Sequence, residues 1–482
     1  MINRRNFLKS TGGVFAAPLA AAPNRPNVLL ILSDQYYHSA MGVAGNPVIK
    51  TPAFDRLARE GVRFRHAVCP TPFCSPSRAT IMTGLYPHRH GITYNVRENA
   101  PDERGLDPKL PVIETTLGAA GYICAQRGKW HLGDKSRIAG YANDPETDYA
   151  AYLATLGPSS GGGRSRKRGN FNLIYAPVVR KALDKVESNV VIARTDRPNE
   201  HNQETWLTNL AIGQIEKMAA KPFFLTLSLP APHAPWAIND PYYSMYERAR
   251  IPLPENRRFV EPVDRRTDAW ILGQALGDEG LREYLGVYYG MCSMVDWNVG
   301  RLLDALKRLN LERNTLTIFV ADHGDMQAGH AMYGKTNFSI YEETTRIPML
   351  MRLPGKIPAG RVVDTQAALA DIRPTILDYL DFPAPAGIHG QSLRPYMDGK
   401  EDVTRPVFVE RARGRDGFQR AIRTLGWKYV YCSSGESQLY NLEKDPGETK
   451  NIVSDAASAA IRKKLHADLA RWMKETGDSH SI

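Results

Sequence analysis

Cysteine is scarce and scattered: five residues in 482, at positions 69, 74, 124, 292 and 432, with no close CxxC pair. That spacing supports neither a zinc site nor a disulfide scaffold, and it does not say whether Cys69, Cys124, Cys292 or Cys432 pair. After the first 22 residues no apolar run approaches the roughly 20 residues of a membrane span. Internal repeats are absent, and no stretch interleaves aromatic and basic side chains as a nucleic-acid module would. Acid is also in short supply, with 51 Asp and Glu against 62 Lys and Arg, a net charge of +11. A basic surface attracts polyanions at long range. Hydrophobic residues at 43% and charged residues at 23% otherwise describe an ordinary globular protein.

The first residues combine Arg4-Arg5 before Phe7-Leu8-Lys9, a short apolar stretch from Val14 to Leu19, and Ala20-Ala21-Ala22. Together these make a twin-arginine export signal over 1–22, so the mature protein is expected in the periplasm or outside the cell. Without the leader's Arg4, Arg5 and Lys9 the net charge is +8.

Beyond the leader, apolar runs and amphipathic periods alternate. Val28–Leu32, Phe223–Leu229 and Thr315–Ala321 read as buried parallel strands. Val62–Val68 alternates like a strand, and Gly121–Arg127 is another. Helices are expected over Thr51–Glu60, Glu114–Ala120, Glu204–Met218, Tyr284–Leu309 and Asp371–Leu377. Past residue 400 four short strands and a final amphipathic helix suggest a small antiparallel unit. The expected division is a catalytic domain over 24–400 and a C-terminal subdomain over 401–482.

Chemistry-bearing residues cluster after the strands. Asp34-Gln35 ends the first, at the carboxyl edge where open α/β sheets bind ligands, and hard oxygens there suit Ca²⁺ or Mg²⁺. An Asp that merely caps a turn is the plainer reading. Lys129 and His131 follow the Gly121–Arg127 strand. His233 sits among Pro230, Pro232 and Pro235, rigidly presented as a proton donor must be. Asp322-His323 ends Thr315–Ala321. His90 suits either a substrate mouth or a satisfied structural role. Arg164, Arg166, Lys167 and Arg168, in the Gly-Ser-rich 158–170, suit a polyanion or plain solvation.

Cys74-Ser75-Pro76-Ser77-Arg78, with Thr83-Gly84 behind it, opens a helix-like run with Pro76 in its first turn. The stretch resembles the signature of the type I, formylglycine-dependent sulfatases of the alkaline phosphatase superfamily. Gly128-Lys129-Trp130-His131, Pro222-Phe223-Phe224-Leu225 with Pro232-His233, and Gly334-Lys335 resemble further segments of that family in the same order. The resemblance implies an alkaline-phosphatase-like α/β sandwich on a large, mostly parallel sheet. It implies that Cys74 is oxidised to formylglycine by a formylglycine-generating enzyme. Asp34, Gln35, Asp322, His323 and residue 74 would hold one divalent cation, calcium by preference, with manganese or magnesium as alternatives. Arg78, Lys129 and Lys335 would face the sulfuryl oxygens, His131 the hydrate and His233 the ester oxygen. Two positions depart from the family pattern: Gln35 replaces a second Asp, and His323 replaces a common Asn. Those departures leave a phosphonate monoester or phosphodiester hydrolase, or a small aryl or choline sulfatase, as alternatives to a glycan sulfatase.

Overall fold

The computed structural model describes residues 25–96, 105–134, 148–156, 171–260, 265, 267–335, 340–411 and 417–482. The leader and the 158–170 basic stretch lie outside the described residues. Seven strands form the main sheet: β1 (Asn27–Asp34), β2 (Val62–Phe64), β3 (Ile123–Gly128), β4 (Phe223–Pro232), β5 (Thr315–Ala321), β6 (Met349–Arg352) and β7 (Arg361–Val363). Their order is β7-β2-β6-β5-β1-β4-β3. Only β6 runs against the rest. The large, mostly parallel sheet is therefore as expected.

Every residue of β1 and β5 is buried, which explains why both read as unbroken apolar runs. Helices α1 (Pro52–Arg59), α3 (Gln203–Met218) and α4 (Asp268–Arg308) cover the sheet, while α2 (Cys74–Thr83) is buried along its whole length. Helix α4 begins at Asp268, well ahead of the expected Tyr284. Its first part is broken by Gly277 (φ 60°, ψ −172°), and Gly273 and Gly280 dilute the apolar period there. Thr267 caps this early start, its Oγ1 accepting from Trp270 N at 3.1 Å.

The Val62–Val68 segment is two strands rather than one. Val62–Phe64 joins the main sheet, whereas Ala67–Val68 pairs with Arg346–Ile347 in another. Pro348 stands between the two partner segments and has no N–H to carry a ladder across.

The C-terminal unit is an antiparallel sheet of β8 (Val407–Arg411), β9 (Gln419–Arg423), β10 (Trp427–Cys432) and β11 (Gln438–Asn441), in that order. Helix α5 (Ala459–Thr476) lays Leu465, Leu469, Trp472 and Met473 against it. Buried charge ties this unit to the short helix Glu342–Thr345. Arg423 donates to Glu342 from Nε at 3.0 Å and Nη2 at 2.8 Å, and Glu448 accepts from Glu342 N at 2.7 Å.

A second tie is His88, whose Nδ1 lies 2.6 Å from Glu410 Oε2. Burial alone would lower His88, but the hydrogen bond and charge of Glu410, with Asp478 beyond it, raise it above the ordinary histidine value. A raised folded pKa means the pair's contribution is full below the unfolded value of about 6.5 and fades as pH rises through the folded one. Arg420, Asp478 and His389 also face the pair. A His88→Gln variant should therefore lose more melting temperature at pH 5.5 than at pH 8.5. Equal losses at both pH values would show that the imidazole is not charged in the fold.

Candidate active site

Four adjacent parallel strands in the order β5-β1-β4-β3 end side by side, and each delivers chemistry from its carboxyl edge. β5 gives Asp322 and His323, β1 gives Asp34 and Gln35, β4 gives His233, and β3 gives Lys129 and His131. The β3 exit depends on a glycine. At Gly128 φ is +91°, and a Cβ would come within 2.0 Å of Ser228 O on β4. Only a residue without a side chain lets Lys129 leave so close to its neighbour.

Helix α2 enters from the other side with Cys74 at its first position. The two serines of the motif hold it there. Ser75 Oγ donates to His131 O at 2.6 Å, and Ser77 Oγ to Thr71 O at 2.8 Å. Ser75 thereby locks the helix start to the loop that carries His131.

Cys74 Sγ lies at the focus, 3.0 Å from Lys335 Nζ, 3.3 Å from His323 Nε2 and 3.5 Å from Asp34 Oδ1. Burial would raise this thiol, but Lys335, Lys129 and His323, with a hydrogen bond from His131, hold it well below the ordinary value. The groups around the sulfur at this position thus favour its anionic form. Asp34 is pushed up by burial and by Cys74, yet Lys129, His233 and Arg78 outweigh both and keep it below the usual carboxylate range. Lys129 Nζ contacts Asp34 Oδ2 directly. Burial opposes the charge on Lys129, but Asp34 and Cys74 raise its pKa on balance.

The donor set fits a divalent cation. Asp34, Asp322, His323 and Cys74 each offer one ligand atom, all within 4.8 Å of one another and all buried. His323 Nδ1 lies 2.8 Å from Gly324 O, which can only accept, so the proton sits there and Nε2 presents a lone pair. Gln35 (φ 65°) is held by its own N–H on Asp322 Oδ1 at 3.0 Å and by Nε2 on Asp325 Oδ2 at 2.7 Å. Its amide oxygen takes no part in either bond. Two carboxylates and an imidazole form a hard to borderline set.

Arg78 is brought to the site, where four of its five N–H groups are engaged by protein. Nε donates to Asp322 Oδ2 at 2.9 Å, Nη1 to Ser228 Oγ at 2.6 Å and Lys129 O at 2.9 Å, and Nη2 to Asp34 Oδ2 at 3.4 Å. Its geometry braces the carboxylates instead of pointing a free fork at a ligand. His233 Nε2 lies 3.3 Å from Lys335 Nζ, and its Nδ1 lies 2.7 Å from Ala234 O. Lys335, His233, His131 and Lys129 thus face Cys74 from three separate loops. His90 is elsewhere: it is buried, bonded to Thr80 Oγ1 at 3.1 Å and accepting from Ile92 N. Burial drives it down to about 3, so it is a neutral structural histidine.

Ser228, Asp325 and Asn95 belong to the site and were not singled out from sequence. Asn95 Oδ1 accepts from Ser75 N at 3.1 Å, and Tyr284 donates to Asp325 Oδ1 at 2.6 Å. Asp325 carried a signal, a second acid three residues after Asp322; Ser228 and Asn95 carried none. Cys69, Cys74, Cys124 and Cys292 are unpaired in the structure.

The sulfatase family model matches residues 26–382, and the model for the N-sulphoglucosamine sulphohydrolase C-terminal region matches 329–475. The chain is 28% identical over 446 residues to an arylsulfatase of Clostridium perfringens, covering 89% of this chain and 90% of that one. It is 28% identical over 470 residues to an ulvan-active sulfatase of Formosa agariphila, covering 95% and 82%. Among solved structures it is similar to a phosphonate monoester hydrolase from Silicibacter pomeroyi, with a TM-score of 0.74, 25% identity, and 94% and 96% of the two chains covered. With the match spanning Asp34, Cys74, Lys129, His233, Asp322 and Lys335, this chain belongs to the sulfatase family.

Proposed function

We propose that this protein hydrolyses sulfate esters of a sulfated glycan, with residue 74 as the nucleophile after its thiol is oxidised to formylglycine. The observation that carries the reading is the position of Cys74 Sγ, within 3.5 Å of an acid, an imidazole and a lysine that share no local stretch of chain. In this reading the sulfur stands where an oxygen of the aldehyde hydrate would be.

A cation held by Asp34, Gln35, Asp322, His323 and residue 74 would supply Lewis acidity at the nucleophilic hydroxyl. Calcium suits the carboxylates, and the His323 nitrogen moves the preference toward manganese. Lys335 and Lys129 neutralise the sulfuryl oxygens as charge shifts onto them, the contribution that usually dominates. Arg78 holds Asp34 and Asp322 in register. His233, as the imidazolium with its Nδ1–H held on Ala234 O, gives its Nε2 proton to the departing alkoxide. His131 takes the proton of the second hydroxyl on residue 74, so the C–O bond to sulfate breaks and the aldehyde returns without water attacking sulfur.

A His233→Ala variant tests the proton donor. It should lose roughly 10²- to 10⁴-fold in kcat/KM on a sugar sulfate, whose alkoxide needs a proton. A nitrophenyl sulfate, with a stable leaving group, should lose far less. Equal losses on both esters would remove His233 from that role.

Gln35 and His323 favour a second reading, a phosphodiester or phosphonate monoester hydrolase on the same nucleophile. Such esters carry one negative charge, as a sulfate monoester does, so the lysines alone do not discriminate. Turnover of a sugar sulfate beside a phosphodiester separates the two, and a clear preference for the phosphodiester overturns the first. The partners implied are the formylglycine-generating enzyme at Cys74 and the twin-arginine translocon at residues 1–22, with delivery to the periplasm or beyond. Among the described residues no helix is long and apolar enough to cross a membrane.

A further inference from the structure

A cavity of about 380 Å³ lies beside the broken start of α4, away from Cys74 and outside the residues assigned above. Arg257, Arg258 and Arg265 line it together with Trp270, Gly277 and Asp278. Arg257 is spent on Asp278, with Nε at 3.0 Å and Nη2 at 2.9 Å. Arg258 and Arg265 are exposed and make no ion pair among the described residues. Both Arg258 and Arg282 also lower the pKa of Asp278, after the larger effect of Arg257. One carboxylate thus faces several guanidinium groups, and the wall keeps a positive excess.

The wall offers more than charge. Trp270 adds a ring, and its buried indole N–H has no hydrogen-bond partner among the described residues. A polar N–H buried beside a basic cavity without an acceptor is an invitation to an oxygen-rich ligand. Gly277 contributes wall in place of a helical side chain, because φ there is 60° and a Cβ would meet only open space.

The cavity is also close to the reaction. Ala331 is on its wall and lies four residues before Lys335, so backbone reach alone keeps their Cα atoms within about 14 Å. Between them Tyr333 packs edge-on against Trp236, with ring centroids 5.4 Å apart, and Trp236 in turn follows His233 on the chain.

We propose that this cavity is a second anion subsite, in which Arg258, Arg265 and the Trp270 N–H take a sulfate or carboxylate on a sugar distant from the one being desulfated. The inference rests on the glycan reading and narrows it to a polyanionic oligosaccharide longer than one sugar. It explains why the site's basic surroundings extend past the three positive residues that serve Cys74.

The test uses the full-length Cys74→Ala protein, so that binding is read without turnover, with and without the Arg258→Gln/Arg265→Gln pair. Isothermal titration with a heparin-derived hexasaccharide and the matching disaccharide is the measurement. The pair should weaken the hexasaccharide roughly five- to tenfold and leave the disaccharide unchanged. Added salt should shrink the difference. Equal hexasaccharide affinity with and without the arginines, equal losses for both lengths, or no measurable hexasaccharide binding would overturn the subsite. The catalytic reading fails separately, if the wild-type enzyme with formylglycine confirmed by mass spectrometry leaves every sulfate ester intact.

Discussion

Replacing Cys74 by alanine is expected to lower turnover of every sulfate ester by roughly 10⁴- to 10⁶-fold while leaving the fold in place. Its side chain is small and buried, and the groups around it are anchored independently: Ser75 on His131 O, His323 on Gly324 O and Arg78 on Asp322. What disappears is the atom on which Lys335, His323 and Asp34 converge. Cys74→Ser sharpens the result. A serine attacking sulfur would leave a sulfate ester on the enzyme, and that ester has no second hydroxyl to expel it. A burst of alcohol followed by near standstill is the expected trace, read by rapid quench. Steady turnover by the serine variant, or by wild-type protein whose residue 74 remains a thiol, would show that the aldehyde chemistry is not in use.

Part of the site was legible because Asp34, His233, Asp322 and His323 follow buried strands, and buried strands announce themselves as apolar runs. Asp34 after Val28–Leu32 and Asp322 after Leu316–Val320 could be placed on one edge from the pattern alone. The resemblance in the Cys74 and Lys129 segments then supplied the roles. What stayed hidden is set by contacts distant in sequence. Ser228 is an inward serine within β4 and looks like any other strand residue, yet it accepts an Arg78 proton at 2.6 Å. Arg78 was expected to face the substrate, and only coordinates reveal that its nitrogens are all taken. The opening of α4 was missed because three glycines dilute its apolar period, and that is where the basic cavity lies. The split of Val62–Val68 could not be read from its own residues, since the cause is Pro348 in the partner.

The engagement of Arg78 leads to the second large effect. Arg78→Met keeps much of the volume and removes the charge, leaving Asp34 with Lys129 and Asp322 with only the backbone N–H groups of Gln35 and His323. Breaking a buried pair from one side costs about 3–5 kcal/mol, and the remaining bonds on Asp322 place this case toward the lower end. The loss should be fully visible in a chelator, by urea denaturation, because Lys129 then stays on Asp34 while Asp322 has lost its guanidinium. Calcium should restore part of it, since a ligand that binds only the folded state stabilises by mass action. Wild type should respond less to the same addition, because its carboxylates are already balanced by Arg78. In turnover the variant should lose roughly 10²- to 10³-fold in kcat, as a misplaced electrostatic group does. If the variant in chelator were as stable as wild type, Arg78 would not be the brace its hydrogen bonds describe, and the older expectation of a direct grip on the sulfuryl oxygens would return. Stability and turnover must therefore fall together, with calcium recovering stability ahead of turnover, because the cation can balance charge at Asp34 and Asp322 but cannot replace the bond that aligns Ser228 and the Lys129 carbonyl.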